Sequence, residues 1–576
     1  MNQKAHTAHM PDIQRDTARF YRTMSAPALV LLTFLFLIPV GIILSKAFIT
    51  EGGQFSTERL ITLIRDPYIL RVLRFTVLQA SVSTLVSVLI ALPGAYLLAN
   101  FQFRGKSIIR AICTIPFVLP SILVVLGFVI FYGNQGIINT AFVKLFHLSE
   151  PPVKILYSFK AVILAHAFYN FPIALGLISS FWEQLPVRYD QAAMVMGARK
   201  WTVFRTVTLP RLIPAIISAA TLIFLFCFSS FVILLVLGGG PQFTTLEVEI
   251  YRRARMTLDI EGAAALSLLS IGFTILLVAL HLWSQRLLSH QEEIEQIDER
   301  RRGRTPTSPL ATISSILYLV LSVIFVLGPL VGIVYRSFQA PVSRSQEMVF
   351  SFVWYRQLFG FDRAIGSPLG IAASALVTSI VIAAIATVIS LFVGTLLAAR
   401  LRSKEAGKGA SIELYAMLPM AVSSVVIGLG YYLISSTVSH STMVSRTLIV
   451  LAHTVIASPF VLRSILPEYR KIPRSYTQAA LTLGATVPQT FSSIDLPLLR
   501  PALATGGAFA FALSMGEINA TLILSDSSVV TVPIIMYRLI GSYNYAGACA
   551  LGTILILCCA IVFATIERVR RSSSHA

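Results

Sequence analysis

The stretch Gly105-Lys106-Ser107 is the part of the sequence that comes nearest to a phosphate-binding motif. In a Gly-x-x-x-x-Gly-Lys-Ser/Thr loop, the glycines let backbone N–H groups approach the phosphates closely. The first glycine would stand at position 100, but that residue is Asn100, and no buried strand precedes it. The sequence therefore favours a basic turn here and predicts that this chain does not itself hydrolyse ATP.

The remaining reactive residues lack the spacing typical of an enzyme. No Ser/His/Asp set and no set of metal ligands stands in a plausible soluble site. The five cysteines all lie in apolar stretches without metal-ligand spacing, which favours inert packing residues. We therefore predict no catalytic residue, no metal site and no cofactor bound by this chain.

Glu517 is an ionisable residue within an apolar stretch. A charged side chain at mid-bilayer costs about 3 kcal/mol and normally faces a cavity or a partner. Two interpretations stay open: Glu517 and Asn519 line a pathway that favours a cationic solute, or Glu517 pairs with an arginine or with backbone at a helix break after Gly516. Further candidates for the pathway share an ability to stack on or hydrogen-bond an aromatic solute: Tyr169, Asn170 and Tyr251.

The elements that position these residues must lie in a membrane. The chain has 576 residues, of which 56% are hydrophobic and 12% charged, with a mean hydropathy of +0.78. This is more apolar surface than a soluble core of that length could bury. The net charge of +20 comes from Lys and Arg gathered between apolar runs, where they set membrane orientation. We therefore predict an integral membrane protein that does not bind nucleic acid.

A membrane-spanning helix needs about 20 apolar residues. We count twelve candidate spans, and the first is too long an apolar run for a cleaved secretory signal. They lie near 26–47, 70–98, 110–132, 157–181, 212–237, 264–285, 311–335, 368–399, 412–436, 446–466, 501–525 and 547–566. The fold class predicted from these spans is all-α.

Basic residues in short connections predict which loops are cytoplasmic. The residues that carry this prediction are Arg104, Lys106, Arg110, Arg188, Arg199, Lys200, Arg205, Arg211, Arg400, Arg402, Lys404 and Lys408. The cluster at 300–304 and the basic tail agree with them, so both termini are predicted to be cytoplasmic. The segments 238–262 and 337–367 agree less well with this charge rule, because each has several arginines on the predicted outer side.

One motif occurs twice with the same internal spacing. The first copy consists of Gln191-Ala192-Ala193, Gly197 and Leu209-Pro210. The second copy consists of Gln478-Ala479-Ala480, Gly484 and Leu496-Pro497. The offset between the copies is 478 − 191 = 287 residues, about half the chain. Since six predicted spans separate the copies, both lie on the same membrane face, and the chain is predicted to be two parallel six-helix repeats.

The repeat predicts the organisation of the whole chain. The predicted segments are a cytoplasmic amino-terminal segment, a first six-helix domain, a charged cytoplasmic linker, a second six-helix domain and a cytoplasmic tail. Their boundaries are 1–25, 26–286, 287–308, 309–567 and 568–576. His166 and His453 also correspond at the repeat offset, which favours a role in packing over a solute site.

Each motif copy predicts two short helices that meet at an angle. A proline opens each copy, at Pro186 and Pro473, and alanines favour the helix that follows. The glycine permits a bend, and Leu-Pro closes each copy. We call residues 186–210 the first elbow and residues 473–497 the second elbow. An amphipathic connector on the membrane surface is the alternative, which two copies at identical spacing make less favourable.

The two copies resemble the coupling-loop motif of the permease subunits of bacterial ABC importers. The family's usual first residue is Glu, where this chain has Gln191 and Gln478. The resemblance implies the ABC importer type I permease fold and a coupling role for the motif residues. These are Gln191, Ala192, Ala193, Gly197, Leu209, Pro210, Gln478, Ala479, Ala480, Gly484, Leu496 and Pro497.

Fusion of two permease halves is common in thiamine and iron(III) importers. The stretches 238–251 and 532–543 resemble those of thiamine permeases more than those of iron permeases. The resemblance implies import of thiamine or its phosphate esters across a bacterial inner membrane, with iron(III) as the alternative. It implies as partners two copies of a cytoplasmic ATP-binding subunit, which binds the ATP, and a periplasmic or lipid-anchored solute-binding protein, besides membrane lipid. A stand-alone channel or secondary carrier is a further alternative, which would need no such partner.

Overall fold

A computed structural model gives the architecture of the chain. The structure describes residues 10–49, 53–295, 309–341, 348–362, 368–403, 410–438, 441–525 and 529–573. The predicted linker, 287–308, lies outside the described residues from position 296 onward, and so does the basic cluster at 300–304. Lys404 and Lys408 are outside them as well.

The described part of the chain is built almost wholly of α-helices, as the sequence predicts. In chain order, the helices of the first half are α1 Met10–Phe48, α2 Glu58–Arg65, α3 Pro67–Asn100, α4 Lys106–Val118, α5 Ser121–Tyr132, α6 Ile137–Phe146, α7 Phe159–Gln184, α8 Val187–Val195, α9 Lys200–Val203, α10 Leu209–Phe228, α11 Val232–Leu237, α12 Leu246–Tyr251 and α13 Ile260–Glu295. Those of the second half are α14 Pro309–Ser337, α15 Val353–Leu358, α16 Ala372–Ser403, α17 Ala410–Met417, α18 Ser424–Val438, α19 Thr442–Lys471, α20 Arg474–Thr482, α21 Val487–Thr490, α22 Leu496–Gly516, α23 Asn519–Leu524, α24 Val532–Gly541 and α25 Tyr545–Ser573.

Shorter elements complete the described chain. Two short strands, β1 Gln339–Pro341 and β2 Met348–Phe350, pair antiparallel with Ala340 opposite Val349. The π-helical turns are Phe204–Thr208, Arg252–Met256 and Phe491–Asp495, and the 3₁₀ turns are Pro241–Phe243, Pro368–Ile371 and Leu418–Ala421.

The number of spans agrees with the sequence prediction. By length and composition, eleven helices of the described chain could cross a membrane, or up to twelve if the bent pair Ser411–Ala421 and Ser424–Val438 counts as one span. That pair is bent by 85°. The predicted multi-pass membrane protein with about twelve membrane-spanning helices is therefore confirmed.

The predicted limits of the third span in each half need correction. In the first half, the predicted span 110–132 is divided into α4 and α5 at Leu119 and Pro120. A proline lacks the backbone N–H that a continuous helix needs, and it disfavours helical backbone at the preceding residue. In the second half, the predicted span 412–436 contains the 85° bend.

The fifth span of each half is also interrupted. The predicted span 212–237 contains the end of α10 at Phe228 and the start of α11 at Val232. The predicted span 501–525 contains the end of α22 at Gly516 and the start of α23 at Asn519. Polar residues, Ser229 and Ser230 in the first break and Glu517 in the second, stand between long apolar runs, so hydropathy averaged over a whole span does not locate either break.

The chain forms two compact units that do not follow chain order. Unit I comprises Met1–Ser56, Tyr355–Arg538 and Thr553–Ala576, and unit II comprises Thr57–Trp354 and Leu539–Gly552. Helix α1 thus belongs to the unit that otherwise holds second-half helices. Helix α14 and residues 539–552 of α24 and α25 belong to the unit that holds the first-half helices from α2 onward. A repeat and a compact unit are different divisions of the chain, so the domain boundaries drawn from the repeat stay a prediction.

Each exchanged helix packs through a proline against a glycine. In unit I, a Cβ atom added to Gly430 would lie 2.7 Å from Pro39 Cβ of α1 and 2.8 Å from its carbonyl oxygen. In unit II, a Cβ added to Gly127 would lie 2.9 Å from Pro329 Cβ of α14. Small residues at such contacts let helices approach closely where lipid supplies no hydrophobic driving force between them. Tyr431, which donates to the Leu35 carbonyl at 2.7 Å, also fixes α1 in unit I.

Replacing Gly430 by alanine should destabilise unit I. The added methyl group meets backbone and ring atoms of Pro39, and such overpacking costs about 1–3 kcal/mol. We expect a lower midpoint of thermal unfolding in detergent and less protein in the membrane. Gly41→Ala in the same helix α1 is the matched control, because its Cβ would have no heavy atom within 4 Å. Equal midpoints for the two variants would contradict the close approach.

Candidate functional site

The first elbow contains a helix that ends in a Schellman motif. The N–H of Ala198 donates to the Ala193 carbonyl at 3.0 Å, and the N–H of Gly197 donates to the Met194 carbonyl at 3.0 Å. Gly197 has φ of +90°, in the left-handed region that favours glycine. The chain then reverses into α9 and a π-helical turn before α10 begins. Gly197 therefore ends α8 and sets the angle of the elbow.

The second elbow repeats this geometry. The N–H of Ala485 donates to the Ala480 carbonyl at 3.0 Å, and that of Gly484 donates to the Leu481 carbonyl at 3.1 Å. Gly484 also has φ of +90°. Helix α21 is opened by Thr486, which forms a capping box with Gln489, and a π-helical turn again precedes the next span. The two predicted short helices and the bend at the glycine are present in both elbows.

Each elbow exposes a large apolar side chain immediately before its glycine. Met196 is 82% exposed and Leu483 is 88% exposed, and they are 287 residues apart. Gln191 and Gln478 are also exposed, whereas Ala193 is buried and Ala480 is half-buried. Exposed apolar side chains at matched positions, beside a rigid backbone turn, suit docking on another protein. Sequence reasoning missed Met196 and Leu483, although their place next to each glycine could have pointed to them.

Arginines surround an exposed tyrosine on the first elbow. The Arg211 guanidinium lies 3.6 Å and that of Arg188 5.1 Å from the ring centroid of Tyr189. Hydrogen bonding from Arg211, followed by that from Arg188, lowers the pKa of the Tyr189 phenol. These contacts give the first elbow a basic face.

The second elbow is attached to membrane helices by a buried carboxylate. Asp495 is fully buried, and its Oδ1 accepts from Arg402 Nη1 of α16 at 2.9 Å. Its Oδ2 accepts from the hydroxyls of Tyr21 of α1 at 2.9 Å and Tyr469 of α19 at 2.6 Å. Arg402 also donates to the Ile472 carbonyl at 3.1 Å. Asp495 stands in the loop motif next to Leu496, but its partners are too far along the chain for the sequence to suggest them.

Glu517 lies at the break between α22 and α23 in unit I. Its Oε1 accepts from the N–H of Ala520 at 3.0 Å, so the carboxylate caps the first turn of α23. Asn519 donates from Nδ2 to the Ser424 hydroxyl at 2.9 Å. This geometry supports the interpretation that Glu517 satisfies backbone at a helix break after Gly516. Its role in a solute pathway stays a prediction.

The other pathway candidates belong to unit II. Asn170 is buried and donates from Nδ2 to the His166 carbonyl at 2.9 Å and to Cys227 Sγ at 3.4 Å. Tyr251 is buried with its ring edge-on to Phe231 at 5.2 Å, and Tyr169 is half-buried. These contacts are those of a packed interior. A solute contact by any of the three stays a prediction.

The matched histidines stand beside the breaks in the fifth spans. His166 is hydrogen-bonded to Ser83 at 3.0 Å and to Ser230, in the break of unit II, at 2.8 Å. His453 is hydrogen-bonded to Ser514 at 2.7 Å and to Thr521, beyond the break of unit I, at 2.9 Å. Since both rings are buried and both ring nitrogens are occupied, these contacts support the packing role that the sequence favours.

Two arginines of the segment 238–262 pair with a buried glutamate. Glu249 is fully buried and accepts from Arg252, Arg253 and the Tyr68 hydroxyl at 2.7–3.0 Å. Burial raises its pKa, but the hydrogen bonds from Arg252, Arg253 and Tyr68 outweigh that effect, and the net pKa is lowered. Arg253 also pairs with Asp259 at 2.9 Å. These arginines therefore hold the segment together, which accounts for their presence in a segment that fits the charge rule poorly.

Comparison with known proteins places both elbows within one family. Residues 87–290 and 390–573 each match the family described as "Binding-protein-dependent transport system inner membrane component". The two matches confirm the tandem duplication, and each contains one elbow.

Individual relatives extend over nearly the whole chain. The thiamine transport system permease protein ThiP of Brucella suis biovar 1 is 28% identical over 548 residues, which is 95% of each chain. That of Escherichia coli K12 is 29% identical over 510 residues, which is 88% of this chain and 90% of the relative. The ferric transport system permease protein FbpB of Actinobacillus pleuropneumoniae is 23% identical over 534 residues, which is 92% of this chain and 75% of the relative.

The family match covers well over half of the chain and confirms the resemblance inferred from the elbows. The chain belongs to the family of binding-protein-dependent transport system inner membrane components.

Proposed function

We propose that this chain is the fused permease of an ABC importer, which moves thiamine or its phosphate esters across the bacterial inner membrane with ATP hydrolysed by a separate subunit. The observation that carries the coupling role is the pair of matched elbows, each with a left-handed glycine and an exposed apolar side chain. Two equivalent docking elements suit two copies of one cytoplasmic ATP-binding subunit. A solute-binding protein on the outer face would deliver the solute.

In this mechanism the permease supplies a path with two states. ATP binding brings the two ATP-binding subunits together and displaces both elbows, and each elbow transmits that displacement to the span that begins at its closing Leu-Pro. A ligand shifts such an equilibrium only by its different affinity for the two states. The docked elbows must therefore be held differently in the inward-open and outward-open states.

The thiamine assignment is supported by relatives that match most of this chain. The two thiamine permeases share 28% and 29% identity with it over most of both chains. Iron(III) is the second candidate, supported by the ferric permease at 23% identity over 92% of this chain.

Uptake of labelled thiamine at nanomolar concentration tests the substrate. Cells with the chain intact and cells with it deleted are compared, with iron(III) uptake in the same cells as the control. We expect deletion to abolish high-affinity thiamine uptake and to leave iron uptake unchanged. A fall in iron uptake with unchanged thiamine entry would reverse the substrate assignment. Uptake that continues without any ATP-binding subunit would favour a stand-alone channel or secondary carrier.

A further inference from the structure

The two elbows carry the same pair of residue types in exchanged positions. The first elbow has Asp190 and Thr208, and at the same repeat positions the second has Thr477 and Asp495. In the first elbow, Thr208 donates to Asp190 at 3.1 Å and so ties the two ends of that elbow together. In the second elbow, the buried Thr477 hydroxyl has no hydrogen-bond partner among the described residues. The second elbow therefore lacks the hydrogen bond that joins these two positions in the first elbow.

Asp495 is instead hydrogen-bonded to side chains of three membrane helices of unit I. Its carboxylate accepts from Tyr21 of α1, Arg402 of α16 and Tyr469 of α19. The Arg402 guanidinium also lies 4.5 Å from the ring centroid of Tyr469, and only 10% of the Arg402 side chain is exposed. We call Tyr21, Arg402, Tyr469 and Asp495 the anchor cluster.

The physical character of the anchor cluster indicates a geometric role. A buried ion pair gains little stability over well-packed apolar groups, because desolvation offsets the attraction between the charges. Its directed hydrogen bonds, however, hold the partners in one arrangement. The anchor cluster thus bonds the π-helical turn of the second elbow to three helices and holds them in one arrangement.

We propose that Asp495 is the positioning residue through which the second elbow moves α1, α16 and α19 as one piece. This inference rests on the proposed function, in which the elbows receive the displacement of the ATP-binding subunits. The bond between Asp190 and Thr208, in comparison, joins two residues of one elbow. We therefore expect loss of the anchor cluster to weaken transmission more than loss of that bond.

A paired variant tests this role without leaving a buried charge unpaired. Asp495→Asn with Arg402→Gln removes both charges, and Asp190→Asn with Thr208→Val is the matched variant of the first elbow. Wild type and both variants are assembled with the ATP-binding subunit and the solute-binding protein in proteoliposomes. The measurements are the capture of the ATP-binding subunit and the labelled thiamine imported per ATP hydrolysed.

We expect the anchor variant to capture the ATP-binding subunit as the wild type does, because Leu483 is unchanged. Thiamine imported per ATP should fall by about threefold to thirtyfold, the range found when residues that couple distant sites are changed. The matched first-elbow variant should fall less. An equal fall in both variants, or an unchanged ratio in the anchor variant, would overturn the inference.

A further variant separates positioning from simple stability. Tyr469→Phe removes one hydrogen bond from Asp495 and leaves the ion pair, so its import per ATP should lie between that of wild type and that of the anchor variant. A variant series that lowers the amount of protein in the membrane but not import per ATP would show a purely structural role and overturn the inference. Failure of the wild type to capture the ATP-binding subunit would instead refute the proposed function.

Discussion

Replacing Gly197 and Gly484 by valine should reduce thiamine uptake by at least about tenfold while the protein stays in the membrane. Both glycines have φ of +90°, where a side chain costs about 1–2 kcal/mol, and a β-branched residue costs more. Beyond the adjoining residues, a Cβ at either position would have no heavy atom within 4 Å, so the penalty comes from the local backbone and not from a clash with other parts of the chain. The strained turn would end α8 and α20 differently and change the angle of each elbow. Uptake rates and the amount of protein in the membrane are the measurements.

Asparagine is the matched control for valine at these positions. Its side chain is similar in size, but asparagine enters the left-handed region far more readily. The double asparagine variant should therefore keep most of the uptake. A second control is Gly53→Val, since Gly53 has φ of +72° in a loop outside the elbows. If uptake survives both valine substitutions, the elbows do not couple the chain to a partner.

Replacing Met196 and Leu483 by aspartate should abolish capture of the ATP-binding subunit. Both side chains are more than four-fifths exposed, so a charge there leaves the folded permease intact. In a protein interface, an apolar anchor of this kind contributes about 2 kcal/mol or more, which corresponds to about a thirtyfold loss of affinity for each position. The measurements are capture of the ATP-binding subunit by the purified permease and ATP-driven uptake.

Exchange of the two apolar residues is the control for this pair. Met196→Leu and Leu483→Met keep the volume and apolar character of each position, so capture should stay close to that of the wild type. If the aspartate variants capture the ATP-binding subunit normally, docking does not use the exposed side chains next to the glycines. The motif residues Gln191 and Gln478, which are also exposed, would then be the next positions to change.

Much of the candidate site follows from local sequence. The position of each elbow, its two short helices and its bend are set by proline, alanine and glycine within one short segment, and the structure places them there. A break after Gly516 is one of the two interpretations that the sequence offers for Glu517, whereas the break after Phe228 is not located, because the long apolar runs on either side outweigh Ser229 and Ser230 in a hydropathy average. Hydropathy measures transfer from water to lipid and responds weakly to a local change of backbone direction.

The membrane class, the duplication and the elbows follow from the amino-acid sequence, because each depends on composition or on spacing within a short window. The packing of α1 with second-half helices, where Pro39 meets Gly430, and the hydrogen bond that Asp495 accepts from Tyr21 become visible in the folded chain. These partners stand several hundred residues apart. Helix periodicity shows which face of a helix is apolar but not which distant helix covers it, because that choice depends on how small and polar residues match across the interface.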